Sequence, residues 1–151
     1  LPAGGSDLKR IAPLLAFFDV DPSRVKLLGT TLWDETADLN LEPALVGAWY
    51  VAPAPEGVGE FIKRFKKYYG YKPPRLATLG YDAMLVAAAL SQTTRSGEQP
   101  AFDIHDPRGF IGVDGIIRLL PNGSNERGYA VLEVGKTGPV VVDDAPLRFL
   151  Y

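Results

Sequence analysis

Residues 76–90 constrain the fold more than any other stretch. Leu76, Ala77, Leu79, Ala83, Met84, Leu85, Val86, Ala87, Ala88, Ala89 and Leu90 make a helix over Arg75–Gln92 apolar nearly all round. Such a helix is stable only when neighbours cover it on several sides. Its apolar run is shorter than a bilayer requires and carries Asp82, so it is not a membrane span. Gly80, Ala83 and Ala87 would let another element approach closely. Just upstream, Phe61, Ile62, Phe65, Tyr68 and Tyr69 fall on one helical face, opposite Lys63, Arg64, Lys66 and Lys67. Burying each large apolar side chain contributes ~1.5–3 kcal/mol. The pair of helices, expected over Val58–Tyr69 and Arg75–Gln92, should therefore bury its apolar flanks against protein beyond these 151 residues, or against a second copy of the chain.

Two breaker-rich segments bracket these helices. Pro53-Ala54-Pro55-Glu56-Gly57 reads as a stiff crossing, and the polar stretch Thr93–Pro100, with Gly97, reads as the return. The expected division is an α/β lobe of residues 1–52 and 102–151, with 53–101 a helical segment of another lobe. In the first lobe, Leu8, Ile11, Leu14, Leu15 and Phe18 recur at helical spacing through Asp19. Ser6 is the expected N-cap, with Asp7 in the first turn, and Pro13 should kink or restart the helix. Val25–Thr30 and Leu45–Val51 read as buried strands of a parallel sheet covered by helices. Phe110–Gly115 reads as a glycine-spaced turn. Ile116–Leu120 and Arg127–Val134 read as strands joined around Pro121-Asn122-Gly123-Ser124, and Pro139–Val142 as a last strand.

Composition removes whole classes of function. Sixteen basic against eighteen acidic residues, a net charge of −2, point to neither nucleic acid nor an anionic membrane surface. No cysteine means no disulfide, thiol nucleophile, zinc knuckle or iron–sulfur ligation. The single histidine, His105, excludes a poly-His metal site, and no nucleophile lies near it in sequence. Gly135-Lys136-Thr137 lacks the upstream glycine and following helix of a phosphate loop. Asn122-Gly123-Ser124 reads as a turn tip rather than a glycosylation acceptor, and the pairs Asp34-Glu35 and Asp143-Asp144 as solvated turns rather than acid–base sites. The expectation is a binding protein with no catalytic residue, metal or cofactor.

The chain opens without Met, on Leu1-Pro2-Ala3-Gly4-Gly5-Ser6, which reads as the exit of a strand into a glycine-rich loop and a helix. The expectation is a fragment of a longer chain, cut inside a strand–loop–helix unit.

An ordered series of segments carries a resemblance. Leu27-Leu28-Gly29-Thr30, then Trp33-Asp34, then Val46-Gly47-Ala48-Trp49-Tyr50 resemble the second lobe of type I periplasmic binding proteins. Phe61–Tyr69 with Tyr81-Asp82-Ala83 is similar to the segment that returns to that fold's first lobe. Gly109–Ile116, Asn122-Gly123 and Arg127–Val131 are similar to its closing hairpin. The series is closest to the penicillin-binding-protein activator branch, relatives of the Leu/Ile/Val-binding proteins, and covers about the later half of that fold.

The resemblance implies an α/β lobe with a helical segment of the other lobe and a closing antiparallel hairpin. It implies ligand capture between two lobes, with the site in loops at the carboxyl ends of parallel strands. Gly5 and Ser6 offer backbone donors at a helix N-terminus, suited to an anion. Thr30, Thr31, Trp33 and Asp34 offer hydroxyls, an aromatic wall and a carboxylate, and Tyr81 comes from the other lobe. Two functions remain open ahead of a third, a hydrolase using His105. One is an exported, periplasmic solute-binding protein of the ABC-transporter type for an amino acid or similar small polar ligand, working with a membrane permease. The other is an envelope regulator that binds and activates a penicillin-binding protein, a cell-wall synthase, without a small ligand.

Overall fold

A computed structural model describes residues 1–22, 24–36, 38–92 and 103–150. In chain order the elements are α1 (Gly5–Phe17), β1 (Leu28–Gly29), β2 (Trp49–Ala52), α2 (Pro55–Tyr69), α3 (Ala77–Leu90), β3 (Phe110–Gly112), β4 (Gly115–Leu119), β5 (Asn125–Arg127), β6 (Ala130–Gly135) and β7 (Gly138–Asp143). Short 3-10 turns span Thr31–Trp33, Leu39–Leu41 and Pro43–Leu45. The chain divides into two compact units. One is Leu1–Ala52 with Ala130–Asp144, and the other is Pro53–Tyr129 with Ala145–Tyr151.

The first unit is a four-stranded sheet in the order β1-β2-β6-β7, with α1 joined to it. Only β1 and β2 are parallel, pairing Leu28 with Trp49 and Gly29 with Tyr50. The hairpin β6–β7 extends the sheet antiparallel through Tyr50 opposite Leu132. The sheet is therefore mixed rather than parallel. The two strands expected near the N-terminus are short, because turns consume Pro43–Leu45 and the residues before Leu28. In β6 the period-two pattern is clean: Ala130, Leu132 and Val134 are buried, and their neighbours less so. Leu8 and Ala12 of α1, Trp33, Leu45, Tyr50 and Ala52 complete this core.

Helix α1 departs from expectation at its start. Gly4, not Ser6, is the N-cap, and no side chain caps it. The reason is steric: a Cβ on Gly4 would lie 2.8 Å from the Leu32 Cβ, so the segment after β1 presses against the cap. Gly5 takes φ +56°, a conformation natural to glycine. The helix runs unbroken through the exposed Pro13, anchored by the buried Leu8 and Ala12.

In the second unit, α2 starts on Pro55 at its first turn and ends on Gly70 at φ +78°, a left-handed helix cap. Helix α3 buries Val86 against Phe110 and Ile117. Tyr68, Tyr69, Leu76 and Met84 remain exposed. Strands β3, β4 and β5 form an antiparallel sheet of their own, with Pro121–Ser124 as the β4–β5 turn.

Residues 103–129 fall in the second compact unit, with α2 and α3. Ile116–Leu120 and Val46–Val51, expected in one sheet-containing lobe, supply strands to different sheets: β4 and β2 are not in the same one. Two buried carboxylates explain why. Asp82 of α3, 1% exposed, accepts from the backbone N–H groups of Val113 (2.6 Å) and Asp114 (3.0 Å) in the β3–β4 turn. Asp114, wholly buried, accepts from Arg75 Nη1 (2.9 Å) and Thr78 Oγ1 (3.0 Å). These bonds tie the β3–β4 hairpin to α3. The expected strand Arg127–Val134 is likewise divided, Arg127 ending β5 and Ala130 beginning β6. Between them Gly128 lies so close to Pro146 and Ile116 that a Cβ would sit 2.6 and 2.7 Å from their side chains. The return crossing expected at Thr93–Pro100 lies outside the described residues.

Candidate functional site

The site grows from the end of β1. Thr30 is extended and caps the turn that follows, its Oγ1 accepting from the Leu32 N–H at 3.4 Å. Gly29 leaves room for the chain to fold back. A Cβ there would lie 2.3 Å from the Trp33 ring, so only glycine lets the indole tuck beneath the strand. Trp33 is wholly buried, its ring 6.0 Å from that of Tyr50. It is thus no exposed aromatic wall, which corrects the expectation: the 3-10 turn directs it inward and leaves Thr31 and Leu32 outside.

The same loop meets the start of α1. Thr36 Oγ1 accepts from the Gly5 N–H (2.7 Å) and donates to the Leu32 carbonyl (3.2 Å). One orphan donor of the helix N-terminus is therefore already satisfied by protein. Ser6, Thr31 and Leu32 remain exposed. The structure brings Gly5, Ser6, Thr30, Thr31, Trp33 and Asp34 into one neighbourhood of the first unit. Tyr81 belongs to the second unit, where its hydroxyl accepts from Arg64 Nη2 (3.1 Å) and its ring lies 5.2 Å from Phe61.

The loop also walls a cavity of about 170 Å³, lined by Trp33, Asp34, Thr36, Asp38, Asn40 and Tyr50, with Gly138 and Pro139 of β7 among the rest. Burial, and then the charge of Asp34, push the Tyr50 hydroxyl up to about 12, so it stays a neutral phenol at ordinary pH. Asn40 Nδ2 donates to the Lys136 carbonyl (3.3 Å), tying the Leu39–Leu41 turn to the β6–β7 turn. Asp38 holds a left-handed backbone at φ +59°, which Asp tolerates better than most residues. The Trp33 Nε1 hydrogen is buried without an acceptor.

Sequence reasoning missed Thr36, Asp38, Asn40 and Tyr50. The alternation of β2, which buries Tyr50 and Ala52 but exposes Val51, was a usable signal for Tyr50. Thr36, Asp38 and Asn40 reach the cavity through irregular turns, and no period marks them.

The arrangement offers donors, acceptors and a negative rim. Among the described residues, no group of three or more His, Cys, Asp or Glu is placed to hold a metal ion, and no helix is long and apolar enough to cross a membrane.

The sequence matches no protein-family model and no curated protein. Its fold does match solved structures. A protein from Rhodospirillum rubrum, provisionally named a branched-chain amino acid ABC transporter, superposes with a TM-score of 0.65 at 24% identity, over 87% of this chain and 41% of that one. A substrate-binding protein of a branched-chain amino acid transporter from Streptococcus pneumoniae, in complex with isoleucine, gives 0.56 at 15% identity, over 96% and 43%. An ABC-transporter solute-binding protein from R. palustris, in complex with benzoate, gives 0.55 at 20% identity, over 97% and 42%. The chain spans less than half the length of each of these. Its mixed α/β architecture, matched over 87–97% of its length by part of each neighbour, is that of the type I periplasmic-binding-protein fold.

Proposed function

We propose that the chain is the ligand-contacting part of an extracytoplasmic solute-binding protein serving an ABC-type membrane permease, and that it is not an enzyme. Its solute is a small polar molecule, an amino acid or a small carboxylate, taken up between this α/β unit and a second lobe. The observation that carries this reading is the convergence of the α1 start and the 30–36 segment through the Gly5–Thr36 hydrogen bond. It sets backbone donors and the exposed hydroxyls of Ser6 and Thr31 at the end of a parallel strand, where open α/β sheets bind ligands. The branched-chain amino acid and benzoate proteins that share the fold give the solute classes to try first. On this reading Gly5, Ser6, Thr30, Thr31 and Asp34 contact the solute, Trp33 backs the loop from within, and Tyr81 contributes from the second unit. Residues 53–92 then belong to the opposing lobe, and the parent protein works in the periplasm.

Calorimetric titration with leucine, isoleucine, valine and benzoate tests it. A saturable heat with one of them, weakened about tenfold or more in Thr31→Ala, is the expected result. Silence from all four, together with retention of the protein by an immobilised penicillin-binding protein, would overturn it in favour of the regulator.

A further inference from the structure

We propose that the groove between α2 and α3 is a second binding site, for a small aromatic carboxylate. It goes beyond the solute-binding reading, because every residue that lines it comes from these two helices of one unit.

Three observations carry it. The first is shape. Phe61, Phe65 and Tyr69 recur one turn apart along the α2 side, and the small residues Ala77 and Gly80 form the α3 side. A Cβ built on Gly80 meets nothing within 4 Å, so the gap is open rather than filled by packing. The groove holds about 370 Å³, within the roughly 300–1,000 Å³ of small-molecule pockets. The second is the wall material. Ring centroids lie 5.9 Å apart for Phe61–Phe65, 4.5 Å for Phe65–Tyr69 and 5.2 Å for Phe61–Tyr81, all at tilted angles. Such walls favour a flat aromatic guest, and the flexible thioether of Met84 adapts to its edge. The third is charge. Arg64 lines the groove, where its guanidinium meets the Tyr81 hydroxyl (3.1 Å) and ring, both uncharged partners. Glu60, one turn back, is taken by Lys63 at 2.9 Å. A guanidinium with donors to spare grips a carboxylate through two parallel hydrogen bonds. Lys66 and Lys67 in the last turn of α2 keep the local field positive, which disfavours a cationic guest or a second copy laid face to face. Tyr81 is the one residue shared with the solute-binding reading, so the two sites are told apart by where the signal appears.

The chain has a single methionine, Met84, so one ¹³C-labelled methyl resonance reports the groove. The probe is 3-phenylpropanoate, with 3-phenylpropylamine and acetate as its cationic and ring-free counterparts. The probe should move the Met84 methyl resonance saturably and leave the Ser6 and Thr31 amides in place, and each counterpart should bind at least tenfold more weakly. Arg64→Gln should weaken binding about tenfold. Gly80→Leu should abolish it by filling the gap, without lowering the urea midpoint, since leucine suits a helix better than glycine. Any of four results overturns the proposal: no saturable Met84 shift, an equal response to the amine, an Arg64→Gln chain that binds as tightly as the parent, or a chain that light scattering finds dimeric with Met84 sealed from the probe. A shift at Thr31 without one at Met84 would overturn it too, while leaving the solute-binding reading intact.

Discussion

The buried carboxylates of one unit and the buried indole of the other differ in how the protein itself answers them. In the unit of residues 53–129 and 145–151, Asp82 and Asp114 are almost wholly buried, and backbone N–H groups, Thr78 and Arg75 meet their oxygens. Arg127 Nη1 lies 3.6 Å from Asp82, an ion pair without a hydrogen bond, so this unit too holds a buried donor that lacks an acceptor. In the unit of residues 1–52 and 130–144, the buried Trp33 N–H has no acceptor. Low local dielectric raises the stakes in both places. Carboxylates met by several of the protein's own donors rigidify a fold, whereas a buried donor left unmet only costs stability. Asp82, within the Tyr81-Asp82-Ala83 segment, is therefore a structural residue.

The largest expected effect tests the carboxylate network. Asp82→Ala strands two backbone donors and the mostly buried Arg127 cation, so it should cost about 3–5 kcal/mol, read from the midpoint of urea unfolding. A loss under about 1 kcal/mol would show that the β3–β4 hairpin is held by apolar contacts alone.

Next comes Gly29→Ala, which puts a methyl 2.3 Å from the Trp33 ring. It should destabilise by about 1–3 kcal/mol through overpacking and shift Trp33 fluorescence. An unchanged spectrum would mean that the indole does not lie under β1.

A third, intermediate effect is pH-dependent. The Tyr50 hydroxyl is raised from 10.0 to about 12 in the folded protein. The unfolded chain then releases its proton first, so stability is intact below pH 10 and falls as pH rises toward 12, by up to ~1.4 kcal/mol per unit. Tyr50→Phe should flatten that limb of the unfolding profile. A limb as steep as in the parent chain would assign the alkaline loss to other groups.

The smallest effect sharpens the contrast most. Trp33→Phe keeps an aromatic ring in the core and removes a donor that has no partner, so it should change stability by no more than about 1 kcal/mol. The same kind of subtraction at Asp82 is severe. Comparable losses at the two positions would dissolve the distinction between them.

Much of the architecture was legible from the residues alone. Helical periodicity located α1, α2 and α3 to within a few residues, because each carries a repeating apolar pattern over three turns or more. The Asn122-Gly123 turn and the Gly135–Gly138 turn were equally plain, since turn chemistry is local. The Gly4–Ser6 and Thr30–Asp34 loops were marked as neighbours by the resemblance, and the Gly5–Thr36 hydrogen bond brings them together.

Long-range choices were decided only by the tertiary structure. Nothing local says that a chain leaving β5 at Arg127 joins another sheet at Ala130; the close packing of Gly128 against Ile116 and Pro146 enforces it. Nothing local says that the aspartate in an apolar helix binds a turn 31 residues away. Trp33 was expected as a ligand wall and is buried instead, because an aromatic beside polar residues suits a wall and a buried brace equally well. A missing Cβ at Gly29 settles it, by letting the ring fold under β1. Composition and spacing determine which elements form, because propensity and periodicity act within a few residues. Which elements meet, and which polar groups are left unanswered, depends on contacts between distant parts of the chain.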